Sequence, residues 1–107
     1  MTQDILEFIK ECVSHGRIFW TYHLNLRLSE RFIPRSYIIA SVSKYEIIES
    51  YPNDKYLPSY LVYSKHNNVI FHILFAVEEK NNNVRVITSY KPDNEKWEDD
   101  FKTRRIK

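Results

Sequence analysis

Residues 69–77, with the sequence VIFHILFAV, decide the fold of this chain. The run is apolar on both of the faces that a strand presents, which is typical of a strand at the centre of a sheet. Its one polar residue, His72, alternates onto the same face as Ile70 and Leu74. The bulky apolar residues at positions 71, 73 and 75 alternate onto the opposite face. We therefore predict a central strand that carries a histidine in its middle.

Three further strands are predicted around this one. Residues 60–65 and 84–90 alternate and are rich in β-branched and aromatic side chains. They are joined to the central strand by Asn67-Asn68 and by residues 81–83, all asparagine, and asparagine tolerates the positive φ of tight turns. Residues 46–51 form the fourth strand. The four strands follow one another along the chain, which predicts an antiparallel meander.

Upstream of the strands the apolar period changes to that of helices. A first helix ends at Gly16 and is capped by Thr2 or Asp4. A second covers residues 22–32, and a third opens at Pro34. The first helix has an apolar stripe made of Ile5, Leu6, Ile9, Cys12 and Val13. The third has a buried side made of Ile38, Ile39, Val42 and Tyr45.

Helices followed by strands predict an α+β fold, with N-terminal helices packed on a four-stranded antiparallel sheet. A length of 107 residues fits a single domain, residues 1–107. A short terminal helix is also predicted over residues 94–104, with Trp97 and Phe101 turned inward at i, i+4 spacing.

Composition narrows the classes of function. Cys12 is the only cysteine and Gly16 the only glycine, which exclude an intrachain disulfide and Gly-rich phosphate loops. The histidines have no ligand-pair spacing, so we expect no metal and no cofactor. A net charge of +2 does not by itself indicate a nucleic-acid binder. The start lacks a signal peptide and no apolar run could span a bilayer, so we expect a cytoplasmic protein without membrane contact.

The predicted second helix carries the first candidate site. His23, Arg27 and Arg31 recur at i, i+4 and i+8 and form one polar stripe. Arginine binds phosphate through its planar fork, and histidine exchanges protons near neutral pH. The alternative is a solvated basic helix face.

The strands and the C-terminal tail carry the other candidate site residues. His72 lies in the most apolar strand, where a polar side chain is costly unless it is paired. Tyr90 shares a strand face with Thr88 and can stack on a base. Arg104 belongs to the basic tail and could hold phosphate. The alternatives are a hydrogen-bonded core histidine, a tyrosine favoured for its strand propensity, and a frayed tail.

Taken in order, these segments resemble a known family. They are Thr21-x-His23 with Arg27 and Arg31, EIIESYP at residues 46–52, FHI at residues 71–73, ITSYKPD at residues 87–93, then Trp97 and a basic end. The set is similar to short prokaryotic proteins with a domain of unknown function, which are grouped with RelE-, BrnT- and MqsR-type toxins. The resemblance covers residues 20–105 as a RelE-like core and leaves residues 1–17 as an added N-terminal helix.

The resemblance implies a toxin of a toxin–antitoxin system that cleaves RNA without a metal ion. By this analogy His23 and His72 are base and acid in either order, and Tyr90 orients or stacks the substrate. Arg27 and Arg31 hold phosphate. Apart from the analogy, Arg104 of the basic tail is expected to help them bind it. The expected partners are RNA and a small cognate antitoxin, and a homodimer stays open. Two alternatives remain: a non-catalytic module that binds nucleic acid or protein, and a ParE-like gyrase inhibitor.

Overall fold

The computed structural model of the protein describes residues 4–20 and 33–104. The described elements are helix α1 (Ile5–Ser14), strand β1 (Ile18–Trp20), helix α2 (Arg35–Ala40), a 3₁₀ helix (Val42–Lys44) and strands β2 (Glu46–Tyr51), β3 (Ser59–His66), β4 (Val69–Glu78) and β5 (Asn83–Tyr90). The predicted helix over residues 22–32 lies outside the described residues. None of the helices within the described ranges is long and apolar enough to cross a membrane.

The sheet has five strands in the order β1-β5-β4-β3-β2 and is mixed. Strands β2 to β5 form the predicted antiparallel meander, with β4 inside it. Strand β1 pairs parallel to β5, in the register Ile18 with Val84. The prediction of a four-stranded antiparallel sheet was therefore wrong by one strand. Three residues are too few to show a period, and β1 forms because β5 offers it a free edge.

Both predicted asparagine turns are confirmed. Asn67 and Asn68 join β3 to β4 with φ of 49° and 65°, as a two-residue turn with both central residues at positive φ requires. Asn82, with φ of 58°, lies in the turn before β5. These turns fix the register that sends the bulky residues of β4 to one face.

The hydrophobic core lies between that sheet face and the helices. Helix α1 contributes four buried residues and is an integral part of this core. Tyr45 is buried as predicted, and its hydroxyl donates to the Ile38 carbonyl over 2.6 Å. Ile39 was predicted to be buried but is 44% exposed, because the short helix α2 turns Ile38 and the half-buried Tyr37 toward the core. The main buried residues are Phe8, Ile9, Cys12, Ile38, Phe71, Ile73, Phe75, Val84 and Val86.

Helix α1 ends in a Schellman motif at Gly16. The Arg17 amide donates to the Cys12 carbonyl over 2.7 Å, and the Gly16 amide donates to the Val13 carbonyl over 3.3 Å. Gly16 has φ of 76°, which L side chains rarely adopt. At the other end Asp4 caps the helix by accepting from the Leu6 amide.

We expect Gly16→Ala to lower the free energy of unfolding by about 1 kcal/mol, because the Cβ of alanine makes the left-handed backbone conformation less favourable. A Cβ at this position would meet nothing within 4 Å, so the backbone alone sets the cost. Urea denaturation measures it, with the exposed helix position Ser14→Ala as control. An unchanged or higher stability of Gly16→Ala would contradict this account of the helix end.

Candidate functional site

The sheet face that points away from α1, here called the second face, carries a polar cluster at its centre. Tyr63, His72 and Tyr90 lie side by side on β3, β4 and β5, since directly paired residues of antiparallel strands share a face. Leu74 and Thr88 form the next pair on this face. The structure thus brings His72, Tyr90 and Thr88 together. Tyr60, on the same strand as Tyr63, packs against the core on the other face.

Two β-bulges assemble the second face. In β5, Thr88 pairs with Leu74 and Val86 pairs with Phe75 of β4, so that Ile87 is an extra residue without a partner position. In β2, Ile47 pairs with Val62 and Glu49 pairs with Leu61 of β3, so that Ile48 is the extra residue. Each bulge reverses the alternation beyond it. As a result Tyr90 reaches the face of His72, and Glu46 and Glu49 lie on that face together.

His72 is 0% exposed, and both ring nitrogens have a partner. Nε2 lies 2.6 Å from the Phe101 carbonyl oxygen, which can only accept, so Nε2 carries the proton. Nδ1 lies 3.3 Å from the Tyr90 hydroxyl and therefore accepts a hydrogen bond from it. The Trp97 ring packs edge-on against the imidazole, with centroids 4.5 Å apart. His72 is a fully satisfied neutral imidazole in this arrangement.

The titration of the pair follows from its surroundings. Burial lowers the pKa of His72, although the Phe101 carbonyl and the Glu49 charge favour the protonated form. Burial also raises the pKa of Tyr90, so its phenol stays protonated at neutral pH. The ground state of the pair is a neutral phenol that donates to a neutral imidazole.

Residues 91–104, here called the strap, cover His72. The strap begins with a turn in which Asp93 accepts from the Glu95 and Lys96 amides. A bridge between Trp97 and Arg104 then closes it into a loop. Phe101, with φ of 56°, sits at the tip. The predicted helix over residues 94–104 is therefore wrong, because the Asp side chains bond the nearby backbone in turns instead.

Arg104 fastens the end of the strap to β2. Its Nε and Nη2 lie 2.5 Å and 3.1 Å from the two carboxylate oxygens of Glu49. Its guanidinium also lies over the Trp97 ring, 4.6 Å from the centroid. Tyr51 donates a hydrogen bond to Glu49. Partial burial alone would raise the pKa of Glu49, but the bonds from Arg104 and Tyr51 outweigh it and hold this pKa below its ordinary value.

A second ion pair lies next to the first. Lys102 Nζ is 2.7 Å from a Glu46 carboxylate oxygen and 4.7 Å from the centroid of the Tyr63 ring. The hydrogen bond to Glu46 raises the pKa of Lys102. Strand β2 thus holds the strap through two acidic side chains.

A cleft of about 340 Å³ opens between the strap and β5. Tyr90 and Trp97 form its aromatic wall, and Asp93 is its acidic residue. Three cationic side chains also line it: Lys91, Lys96 and Arg104. The cleft suits an anion that carries an aromatic group, because arginine and lysine donate to phosphate and the rings can stack.

The predicted site residues fall into two groups. His72, Tyr90 and Arg104 lie around the strap and its cleft, His72 beneath it and the other two on its wall. His23, Arg27 and Arg31 lie outside the described residues. Sequence reasoning missed Glu46 and Glu49. Plain alternation sends positions three apart to opposite faces, and only the bulge in β2 brings these two together.

Metal ligands do not cluster in the described part of the chain. Within residues 4–20 and 33–104, no three His, Cys, Asp or Glu side chains converge as ligands would. Four cationic side chains lie in or next to the cleft: Lys91, Lys96, Lys102 and Arg104.

Fold and site together define a small α+β domain whose mixed sheet carries a buried histidine under a C-terminal strap. Residues 20–91 match the family model DUF4258, described as a domain of unknown function, and the chain belongs to this family. Helix α1 and residues 92–104 of the strap lie beyond the matched segment. No match was found among curated proteins or among solved structures.

Proposed function

We propose that this protein is the toxin of a toxin–antitoxin pair and cleaves RNA without a metal ion. One observation carries the proposal: the Tyr90 hydroxyl joins His72 Nδ1 at the wall of a cleft lined by Lys91, Lys96 and Arg104. A metal-free ribonuclease needs a proton acceptor for the 2′-hydroxyl and cations on the phosphate. The cleft offers both kinds of group.

The Tyr90–His72 pair acts as a proton relay in this mechanism. The 2′-oxygen forms a bond to phosphorus, and the bond from phosphorus to the 5′-oxygen breaks. The 2′-hydroxyl proton passes to the Tyr90 oxygen while the phenol proton passes to His72 Nδ1. The imidazolium that forms is favoured by the negative charge of Glu49 on β2. The 5′-oxygen takes up a proton, and His23 is the residue that the sequence proposes for this step.

The cations of the cleft hold the substrate in this mechanism. Lys91 and Lys96 are exposed on the strap side of the cleft, and Arg104 lies on its wall against Trp97. A guanidinium fixed by stacking loses little freedom when it binds phosphate. Negative charge that develops on the phosphate is thereby stabilised.

We expect purified protein to cleave a labelled RNA in the presence of EDTA. The cleavage survives chelation because the reacting groups are protein side chains. The control is the same RNA with every 2′-hydroxyl methylated, which is bound but not cleaved, since it lacks the nucleophile. Gel analysis of the fragments is the measurement. Loss of cleavage on chelation would contradict the mechanism.

A second candidate function is a non-catalytic RNA-binding module. It is favoured by the complete burial of His72, whose two nitrogens are already hydrogen-bonded within the protein. In that case the imidazole serves only to hold the strap. Binding of unmodified RNA without cleavage selects this function, and absence of both binding and cleavage contradicts both candidates.

The proposal includes a small antitoxin. Strand β2 is the last strand of the sheet order, and an added strand of a partner can pair with such an edge. The exposed ring of Tyr51 at its end would widen the contact. Co-purification of the product of a small neighbouring gene, which also suppresses RNA cleavage, is the expected result. A neighbour that neither binds nor inhibits would count against this partner.

A further inference from the structure

We propose that the strap is a latch that RNA opens: phosphates of the RNA replace Glu46 and Glu49 on Lys102 and Arg104, and the strap lifts from His72. The inference rests on the proposed function in taking RNA as the ligand. It adds the surface that the RNA contacts first, and it explains why the strap covers His72 when no RNA is bound.

The contacts that close the strap differ in their exposure to solvent. Toward the sheet, Trp97 is buried against His72, and the Phe101 carbonyl accepts from Nε2. At the end, the strap is held to β2 by side-chain ion pairs, and the side chain of Arg104 is 52% exposed. The end is therefore the place where a ligand in solution can begin to displace the strap.

The two ion pairs are of a kind that a polyanion replaces. The Lys102–Glu46 pair is exposed on both sides, and such pairs contribute little net stability because both charges remain close to water. The Arg104–Glu49 pair is bidentate and the Glu49 side chain is 20% exposed, so a strong partner is needed to replace this carboxylate. Phosphate is a strong partner for the arginine fork, and successive phosphates of one strand supply several anions at once. The RNA strand thus gives Lys102 and Arg104 the same kind of partner that Glu46 and Glu49 give them now.

Opening changes the surroundings of both central side chains. When residues 101–104 leave, His72 Nε2 loses the Phe101 carbonyl, and Trp97 loses its place between the imidazole and Arg104. The imidazole is then accessible to the RNA beside Tyr90, its hydrogen-bond partner. The strap carries its cations with it, so that they stay on the RNA.

Trp97 provides the readout. The chain has two tryptophans, so Trp20→Phe leaves Trp97 as the only one. In this background the protein is titrated with RNA whose 2′-hydroxyls are all methylated, so that nothing is cleaved. Binding is followed by the anisotropy of a dye on the RNA and opening by the emission maximum of Trp97. We expect a red shift of Trp97 that saturates together with the anisotropy.

The matched variants remove two carboxylates each. Glu46→Gln with Glu49→Gln takes away the anions that compete with RNA. We expect its Trp97 emission to be red-shifted without RNA and its RNA affinity to rise on the order of two- to tenfold, as two surface ion pairs would allow. Glu7→Gln with Glu79→Gln removes the same charge at exposed positions away from the strap and is expected to change neither.

The outcomes separate the inference from the proposed function. RNA that binds without a shift of Trp97 overturns the latch and leaves the proposed function intact. RNA that does not bind overturns both. Weaker RNA binding by Glu46→Gln with Glu49→Gln would show that Glu49 positions Arg104 for RNA instead of competing with it, which also overturns the latch.

The same titration is repeated with two other ligands, inorganic phosphate and single-stranded DNA, at equal ionic strength. A full shift with inorganic phosphate would indicate screening and defeat the inference, whereas a shift with DNA as well as RNA supports a latch that reads the phosphate backbone.

Discussion

Replacing Tyr90 with phenylalanine is expected to reduce RNA cleavage by about 10²- to 10⁴-fold, the usual contribution of a positioned proton-transfer group. The substitution removes the hydroxyl that donates to His72 Nδ1 over 3.3 Å and keeps the ring that lines the cleft. We expect the affinity for methylated RNA to stay close to that of the unaltered protein. The loss then falls on the chemical step, and single-turnover rates with bound RNA measure it.

The matched control is Tyr56→Phe. Tyr56 is 85% exposed and lies before β3, away from the cleft, so the loss of its hydroxyl should leave cleavage unchanged. Cleavage by Tyr90→Phe at the rate of this control would contradict the proton relay. Lost cleavage together with lost binding would mean that Tyr90 holds the RNA and takes no part in the chemistry.

Tyr90 is a sharper test than His72. The sequence alone suggests that His72→Ala would abolish cleavage and leave the fold intact. The structure changes that expectation, because His72 is 0% exposed and supports the strap through the Phe101 carbonyl. Its removal opens a cavity beneath Trp97 and takes away a hydrogen bond. A loss of activity in that variant would therefore not distinguish catalysis from folding.

The second large effect is expected for Trp97→Ala, which should lower the free energy of unfolding by about 3–5 kcal/mol. Trp97 is only 2% exposed, packs against His72 and lies beneath Arg104. Its removal takes away the apolar contact that joins the strap to the sheet. Urea denaturation measures the loss, and it is a large share of the stability of a small domain.

The pKa of His72, measured by NMR titration, is a second test of the Trp97→Ala variant. Burial lowers the pKa of His72 in the closed protein. Loosening the strap admits water to the imidazole, so its pKa should rise toward the ordinary value in Trp97→Ala. The truncation of an exposed ring, Tyr56→Ala, is the control for both measurements. A loss as small as that of the control, with the pKa of His72 unchanged, would show that the strap does not depend on Trp97.

Local pattern predicted the antiparallel strands and their turns because neighbouring residues determine them. In residues 69–77 the large apolar side chains at positions 71, 73 and 75 lie on the face opposite His72. Asn67 and Asn68 take the positive φ that a two-residue turn requires. Helix α1 was likewise predictable, since its apolar stripe, its Asp4 cap and Gly16 all lie within one short segment. In each case the information lies within a few residues of the element.

The errors concern elements that depend on distant parts of the chain. Strand β1 is too short to show a period and forms by pairing with β5, more than sixty positions away, through contacts such as Ile18 with Val84. The strap reads as a helix because Trp97 and Phe101 are four residues apart. It is a loop because Asp93 and Asp100 bond the nearby backbone and because His72 binds the carbonyl of Phe101.

The order of residues along the chain was enough to predict the α+β class, the four antiparallel strands and the place of His72 at the centre of the sheet. These follow from alternation and turn chemistry, which act over a few residues. The set of side chains that share the face of His72 depends on how the strands pair in the folded chain. A bulge of one residue in β5 and another in β2 reverse the alternation and bring Tyr90, Glu46 and Glu49 to that face. A bulge arises from the pairing of two strands, and a single strand read alone does not reveal it.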